Sequence, residues 1–163
     1  MPLNTVLAVD PGYDRLGLAV LKRGASKEEV LISLCATSDK SLTIAERIGE
    51  LEVQVSALIA EYKPEAIAFE KIFWSKSKKT AFGVAEVRGM LETLASQNRL
   101  PVFQYSPQQV KLATTGYGNS DKQAVALMVE RLVDLPKVKR LDDEIDAIAV
   151  GITCLSSTRR LGV

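Results

Sequence analysis

Runs of apolar residues, each bounded by polar or turn-forming positions, predict five β-strands in this chain. The first run, Val6 to Val9, ends directly at Asp10 and a Pro-Gly turn, a pattern typical of a buried strand that emerges from a core. The next two runs are joined by a short loop, so the first three strands are expected to form an antiparallel meander. The predicted strands cover residues 6–10, 16–22, 29–35, 66–70 and 101–105.

Apolar positions that recur every three or four residues predict the helices. The longest begins at Ser41 and ends before Pro64. Because it separates the first strand from the fourth, a crossover connection should place those two strands side by side and parallel. The other predicted helices cover residues 80–94, residues 107–113, a segment that begins with a Ser120 and Gln123 capping box, and residues 141–152.

These elements together predict an α/β fold, with a mixed five-stranded sheet flanked by helices. A chain of 163 residues that is 47% hydrophobic is long enough for one core. We therefore expect a single domain over residues 1–163, with its core from about residue 5 to about residue 157.

Acidic residues stand at the edges of three apolar elements. Asp10 ends the first strand, Glu70 ends the fourth, and Asp142, Asp143 and Asp146 begin the last helix. Each has an ordinary structural explanation when taken singly, since Asp stabilises turns and acids favour the first turn of a helix. Glu is however a poor strand residue that is rarely buried unless paired. The joint pattern predicts carboxylates gathered at one end of the sheet.

Grouped carboxylates indicate a metal-dependent chemistry. They repel one another unless a cation lies between them, and Mg²⁺ prefers oxygen ligands. Two metal ions about 4 Å apart can hold the attacking and the leaving oxygen of a phosphodiester displacement. The chain contains no histidine, which excludes Ser-His and Cys-His catalysis and zinc sites built from histidine. The acids therefore predict metal-assisted phosphoryl transfer to water.

The charge of the chain is unevenly distributed. Residues 1–70 contain 7 Lys or Arg against 11 Asp or Glu, a net charge of −4, whereas residues 71–163 carry +5. The basic half begins just after Glu70, as expected if a surface that grips nucleic acid surrounds an acidic site. Residues 71–79 interleave basic and aromatic side chains, a composition that suits either strand separation or a mobile surface loop. The basic and aromatic residues of this segment are Lys71, Phe73, Trp74, Lys76, Lys78 and Lys79.

Composition also bears on the compartment. The chain shows no signal-peptide pattern and no apolar run near the roughly 20 residues that a membrane span needs. Its 2 cysteines, Cys35 and Cys154, are too few for a secreted disulfide scaffold and are expected to be small core residues. These features predict a cytoplasmic protein that does not associate with membranes.

Four segments, taken in order and at their spacing, resemble the RuvC Holliday junction resolvases. They are LAVDPG at residues 7–12, AIAFEKIF at 66–73, QVK at 109–111 and DEIDAIA at 143–149. The similarity extends from about Leu7 to about Leu155. It implies an RNase H-like fold, a homodimer and Mg²⁺-dependent cutting of four-way DNA junctions in recombination and repair. It also implies two Mg²⁺ ions per site with Mn²⁺ as a substitute, and a RuvA/RuvB-type branch-migration partner.

The same resemblance assigns roles to individual residues. Asp10, Glu70, Asp143 and Asp146 are expected to be the catalytic metal ligands. Helical geometry alone leaves open whether Asp142 or Asp143 accompanies Asp146, and the resemblance favours Asp143. Phe73 is expected to contact the junction, and the predicted DNA contacts are Phe73, Lys76, Lys78, Lys79, Arg88, Lys111 and Lys122.

Two of these expectations have alternatives. Arg88 could contact DNA or form a salt bridge. The helix at residues 80–94 is apolar nearly all round and rich in small residues, so it could pack on a symmetry mate or between core elements.

Three other functions compete with the junction resolvase. Another RNase H-like nuclease, acting on RNA or RNA–DNA hybrids, would share the carboxylates. A nonenzymatic junction-binding protein would not explain acids at the edges of buried elements. A sugar-kinase or actin-like ATPase would need two domains and a second phosphate loop, which this sequence lacks.

Overall fold

The computed structural model describes residues 2–71 and 78–160. In these residues the strands are β1 (Thr5–Asp10), β2 (Arg15–Lys22), β3 (Glu28–Thr37), β4 (Ala66–Glu70), β5 (Val102–Tyr105) and β6 (Val133–Asp134). The helices are α1 (Ile44–Tyr62), α2 (Lys78–Gln97), α3 (Pro107–Thr115), α4 (Lys122–Leu132) and α5 (Asp142–Arg160). All five predicted strands and all five predicted helices are therefore present.

The strands form one mixed sheet in the order β5-β4-β1-β2-β3-β6. The first three strands form the predicted antiparallel meander, and β1 pairs in parallel with β4 as the crossover predicted. The prediction of five strands was wrong by one, because β6 pairs two residues, Val133 and Asp134, with Glu28 and Glu29. A two-residue strand is too short to show any periodicity in a sequence.

Alternation along the strands gives the sheet two apolar faces. One face of β1 contributes Val6 and Ala8 to a core cluster that includes Ile148 of α5. The other face contributes Leu7 and Val9 to a second cluster with residues of α1 and α2. Helices therefore cover both faces of the sheet, as predicted.

Helix α5 packs closely against the sheet at Gly151. A Cβ atom added at Gly151 would lie 2.5 Å from Cδ1 of Leu21 and 3.2 Å from Cβ of Ala8. Because a side chain there would collide with the sheet, glycine lets the whole helix pack against β1 and β2. This packing fixes the height of the first turn of α5 relative to the strand ends.

Two helix starts differ from the predictions. Thr43, not Ser41, caps α1, and it forms a capping box with Glu46. Asp121, not Ser120, caps α4, since its carboxylate accepts a hydrogen bond from the amide of Ala124 at 2.8 Å. The predicted Ser120 and Gln123 box was wrong because the Ser120 hydroxyl is used by the preceding turn, where it donates to the carbonyl of Tyr117.

Across the two described ranges, none of the helices combines the length and the hydrophobicity that crossing a bilayer requires.

Candidate active site

Asp10 and Glu70 lie next to each other at one edge of the sheet. The parallel register pairs Val9 of β1 with Phe69 of β4, so the two acids are the next residues along adjacent strands. Both are the last residues of their strands and both are half-buried. The strand pairing therefore brings together two carboxylates that are 60 residues apart in the sequence.

Gly17 brings Asp143 to the same edge. Gly17 pairs with Asp10 across the antiparallel β1 and β2 strands. A Cβ atom added at Gly17 would overlap the backbone carbonyl of Asp143, so the first turn of α5 lies directly against this glycine. Asp143 is thus placed beside the strand position opposite Asp10, which a side chain at residue 17 would prevent.

The carboxylate of Asp143 is held by residues of β2 and β3. Arg15 lies with its Nε 3.1 Å from Oδ2 of Asp143, and the thiol of Cys35 donates to the same oxygen across 3.9 Å. Partial burial raises the pKa of the Cys35 thiol, and the nearby negative charge of Asp143 raises it further. The prediction that Cys35 is a core residue was wrong, since this thiol is partly exposed beside an acidic group.

Asp146 lies one turn further along α5 and faces Lys122. Their Nζ and Oδ2 atoms are 3.4 Å apart. Burial raises the pKa of Asp146, and this effect outweighs the opposing effect of the Lys122 ammonium group. The carboxylate in turn raises the pKa of Lys122, with smaller contributions from Asp142 and Asp10. Asp142 and Asp146 of α5 and Asp10 of β1 therefore act electrostatically on one lysine.

A cleft of about 200 Å³ lies between α4 and α5 at this point. Asp142, Asp146 and Lys122 line it, together with Gln123, Ala126 and Ile145. Asp142 is exposed, whereas Asp143 is turned toward Arg15 and β3. The two neighbouring acids therefore have different environments, which helical spacing alone could not reveal.

The carboxylates share an edge without closing around a single point. Among residues 2–71 and 78–160, no group of three or more Asp, Glu, His or Cys side chains is arranged to hold a metal ion. Carboxylates that face one another without a bound cation repel and are stabilised by cationic side chains. Arg15 and Lys122 supply such charges at Asp143 and Asp146. The donor set is nevertheless composed of hard oxygen ligands, which suit Mg²⁺ or Mn²⁺.

The turn that follows Asp10 is fixed from two sides. The ring of Tyr13 lies under the guanidinium group of Arg47 at 4.2 Å, and Arg47 also pairs with Asp14 at 2.9 Å. A Cβ atom added at Gly83 of α2 would lie 2.8 Å from the Tyr13 ring. These residues clamp the turn between α1 and α2. No local pattern along the chain predicted them, because their contacts are long-range.

Sequence reasoning also missed Arg15 as a member of the site. The sequence feature that could have indicated Arg15 is its position, two residues before Gly17 on the strand next to Asp10. The ion pair with Asp143 depends on how α5 packs, and that contact spans more than 120 residues of sequence.

The predicted DNA contacts that the structure describes lie on α2, α3 and α4. Lys122 lies at the acidic site, Lys111 is partly exposed on α3, and Lys78 is exposed at the start of α2. Arg88 is mostly buried, and its guanidinium group lies 2.7 Å from Oε1 of Gln104 and 3.8 Å from the carboxylate of Glu92. Of the two alternatives for Arg88, the structure therefore contains the salt bridge. The predictions for Phe73, Trp74, Lys76 and the side chain of Lys79 lie outside the described residues.

Known proteins resemble this chain along nearly its whole length. A family model described as crossover junction endodeoxyribonuclease RuvC matches residues 6–154. The crossover junction endodeoxyribonuclease RuvC of Thermosipho melanesiensis is 39% identical over 154 residues, which are 94% of this chain and 98% of the relative. The protein of the same name from Syntrophomonas wolfei is 36% identical and covers 94% of this chain and 90% of its own length.

Solved structures give the same result. Thermus thermophilus RuvC in complex with a Holliday junction substrate superposes with a TM-score of 0.88 and 30% identity, covering 96% of each chain. The yeast mitochondrial Holliday junction resolvase shares the fold at 15% identity, with a TM-score of 0.73 over 98% of this chain and 81% of its own. The expected RNase H-like fold is confirmed by these matches. Because one family model and close relatives match nearly the whole sequence, the chain belongs to the RuvC family of crossover junction endodeoxyribonucleases.

Proposed function

We propose that this protein is an endonuclease that resolves four-way DNA junctions by metal-dependent hydrolysis of phosphodiester bonds. The observation that carries the proposal is the placement of four acids at one sheet edge in a chain of the RuvC family. Strand pairing sets Asp10 beside Glu70, and the approach of α5 to Gly17 adds Asp143. Asp146 follows on the same helix and pairs with Lys122, which also lies in the field of Asp10. The same edge carries a lysine that can bind phosphate, so acid and cation lie where a scissile group would dock.

Asp10, Glu70, Asp143 and Asp146 would hold the metal, with two Mg²⁺ ions per site and Mn²⁺ as a substitute. When bound, the metal activates water and stabilises the charge that develops on the phosphate and on the leaving oxygen. The half-buried strand ends orient Asp10 and Glu70 before any ligand arrives. Arg15 and Lys122 balance the charge of the helix acids in the free protein, and both are exposed enough to turn toward a phosphate.

The lysines of this edge position the DNA. Lys122 begins α4, where the backbone amides of a helix N-terminus add to its positive charge. Lys111 on α3 and Lys78 on α2 extend the cationic surface on other elements. Contacts of this type bind phosphate without reading sequence, so they set the register of the junction relative to the acids.

The active species is a two-fold dimer in which each protomer makes one nick. A four-way junction has near two-fold symmetry, so a symmetric dimer presents identical sites to two opposing strands. Helix α2 carries an exposed face in which Phe82 is 71% exposed and a Cβ atom added at Gly89 would meet nothing within 4 Å. This helix is our candidate for the dimer contact, and a RuvA/RuvB-type branch-migration complex is the expected partner of the dimer.

A cutting assay with three substrates tests the proposal. The protein is offered labelled four-way junctions, plain duplex and RNA–DNA hybrid, each with Mg²⁺ and with chelator. Paired symmetric nicks in the junction that require the metal are the expected result. Cutting of the hybrid but not the junction would identify a different RNase H-like nuclease, and binding without cutting would identify a junction-binding protein.

Two further measurements test the finer parts. Sedimentation of the active protein should give a dimer, and an active monomer would contradict that assignment. Phe73 is expected to open base pairs at the crossover, so Phe73→Ala should impair cutting of intact junctions more than of junctions already unpaired at the centre. Equal losses on both substrates would contradict the role of Phe73.

A further inference from the structure

A second cavity adjoins the cleft that contains Asp146 and Lys122. It measures about 530 Å³ and lies between the segment at residues 135–140 on one side and Ala126, Glu130 and Ile145 on the other. We call this cavity the basic groove. Most of its lining belongs to the connection between β6 and α5, and this connection contains none of the predicted DNA contacts.

The basic groove lies next to the cleft lined by Asp142, Asp146 and Lys122, which we call the acidic cleft. Ala126 of α4 and Ile145 of α5 line both cavities, so the two meet along a shared wall. A chain bound in the acidic cleft beside Asp146 and Lys122 therefore lies close to the basic groove. The groove leads away from the carboxylates along the surface between α4 and the segment at residues 135–140.

The charge of the groove is positive. Lys137, Lys139 and Arg140 line it, against one acidic residue, Glu130. Lys137 and Lys139 are both exposed, and Val138 between them is 62% exposed. Two cations that flank an apolar side chain match a nucleic-acid strand, in which phosphates alternate with the less polar faces of sugars.

Arg140 fixes the shape of this segment. Its Nε donates to the hydroxyl of Ser33 at 3.0 Å, and its Nη1 donates to the carbonyl of Pro136 at 2.8 Å. Ser33 in turn donates to Glu144 of α5 at 2.8 Å. The arginine is thus used to tie residues 136–140 to β3 and α5, which holds the two exposed lysines on a formed wall.

We propose that the basic groove binds the phosphate backbone of the DNA strand that continues from the acidic cleft, with Lys137 and Lys139 as its phosphate contacts. The inference rests on the proposed nuclease function, because it takes the cleft as the place of the scissile phosphate. A DNA strand is favoured over an acidic peptide because the groove adjoins that cleft, so a strand whose scissile phosphate lies in the cleft passes close to the groove. The groove extends DNA recognition beyond the residues beside the cut.

Salt-dependent binding tests the proposal. Junction affinity is measured in chelator, so that nothing is cut, for the wild type and for the double variant Lys137→Gln/Lys139→Gln. The loss of two phosphate contacts should reduce the slope of log affinity against log salt by about 1.8. The affinity advantage of the wild type should then fall about twelve-fold when the salt concentration rises four-fold.

The matched control is the double variant Lys22→Gln/Lys27→Gln. Both residues are exposed, the change in net charge is the same, and Lys22 pairs with Thr5 at the end of β1 opposite Asp10. The control should keep the wild-type salt slope. Thermal unfolding of both variants should remain close to that of the wild type, because neither pair of substitutions removes a buried side chain.

DNA length gives a second, independent readout. The arms of the junction are shortened stepwise from their ends, and the wild type should lose affinity once an arm no longer reaches the groove. The groove variant should bind long and short arms alike, since its contact is already absent. An unchanged salt slope, or an equal response to arm length in both proteins, would overturn the proposal and leave the groove to another occupant such as an acidic peptide.

These outcomes are separate from those of the proposed function. If the wild type cuts junctions and the groove variant shows the wild-type salt slope and arm-length dependence, only the groove assignment fails. If the wild type neither binds nor cuts junctions, the nuclease proposal itself fails and the groove assignment fails with it.

Discussion

The two pairs of acids in the candidate active site are positioned by different means. Asp10 and Glu70 end adjacent parallel strands, and the backbone register that pairs Val9 with Phe69 fixes them. Asp143 and Asp146 stand on the first turns of α5, and their positions depend on how that helix packs against β2. The strand acids are thus held by hydrogen-bonded neighbours in the sheet, whereas the helix acids are held by side-chain contacts.

The electrostatic partners of the helix acids lie on other elements of the fold. Asp143 pairs with Arg15 of β2, and Asp146 pairs with Lys122 of α4. Exposed ion pairs are weak, so these cations can exchange partners when a metal ion or a phosphate arrives. The strand acids are therefore positioned by backbone pairing before any ligand binds, whereas the helix acids can change their counter-charges.

The largest expected effect comes from neutralising one acid of either pair. Asp10→Asn, Glu70→Gln and Asp146→Asn should each reduce junction cutting by about a thousand-fold or more, because a bound metal ion contributes several kcal/mol to transition-state stabilisation. Junction binding should stay nearly intact, since the lysine contacts to phosphate remain. Cutting and gel-shift assays measure both quantities, and a variant with full activity would remove its residue from the metal site.

The two neighbouring acids at the start of α5 sharpen the comparison. Asp143→Asn should reduce cutting about as strongly as Asp146→Asn, because Asp143 lies beside Gly17, the strand partner of Asp10. Asp142→Asn should leave cutting close to wild type, because this residue is exposed at the side of the cleft. Cleavage rates under the same Mg²⁺ concentration decide between the two, and the reverse order would exclude Asp143 as the ligand.

A substitution at Gly17 should displace Asp143 and Asp146 without changing an acidic residue. Gly17→Ala places a Cβ atom against the carbonyl of Asp143, so it should lower the free energy of unfolding by about 1–3 kcal/mol and reduce cutting. Gly49→Ala on α1 is the matched control, since nothing lies within 4 Å of its added Cβ atom. That substitution should stabilise the protein by about 0.4–1 kcal/mol and leave cutting unchanged. Denaturant unfolding and cleavage rates of both variants check this, and unimpaired cutting by Gly17→Ala would contradict the packing argument.

Arg15 tests whether the helix acids are adjustable. Arg15→Gln removes a positive charge 3.1 Å from Asp143, so Mg²⁺ should bind the DNA-free protein up to about five-fold more tightly. Arg131→Gln in the last turn of α4 is a control with the same charge change. Calorimetric titration with Mg²⁺ gives the affinities, and weaker binding by Arg15→Gln would mean that this arginine supports the site rather than competing for it.

The smallest effect is expected from the lysines at the edge. Lys111→Ala and Lys122→Ala should each reduce the salt slope of junction binding by about one ion, with similar losses on junctions of different sequence. Fluorescence anisotropy at several salt concentrations measures the slopes. Lysines that only cover the surface would leave the slope at its wild-type value.

Both strand acids were correctly located from the sequence. Asp10 follows a continuous apolar run and precedes Pro-Gly, and Glu70 ends a similar run after a helix of crossover length. Local patterns of this kind determine where a strand ends, and the crossover connection through a helix then predicts that the two strands are parallel neighbours. The order of elements and the shared edge of these acids therefore followed from the chain itself.

Other features required the folded chain. Arg15 pairs with Asp143 and Arg47 anchors Tyr13, and both contacts join residues far apart in sequence. Asp142 and Asp143 are neighbours in the chain, but only the fold gives them separate environments. The basic groove likewise joins separate parts of the chain, and Arg140 ties its segment to Ser33 of β3. Sequence periodicity determined which elements form and where the acids stand on them, because those properties depend on neighbouring residues. Only the tertiary structure decided which cation faces which acid, because that depends on the packing of α5 against a strand more than 100 residues away.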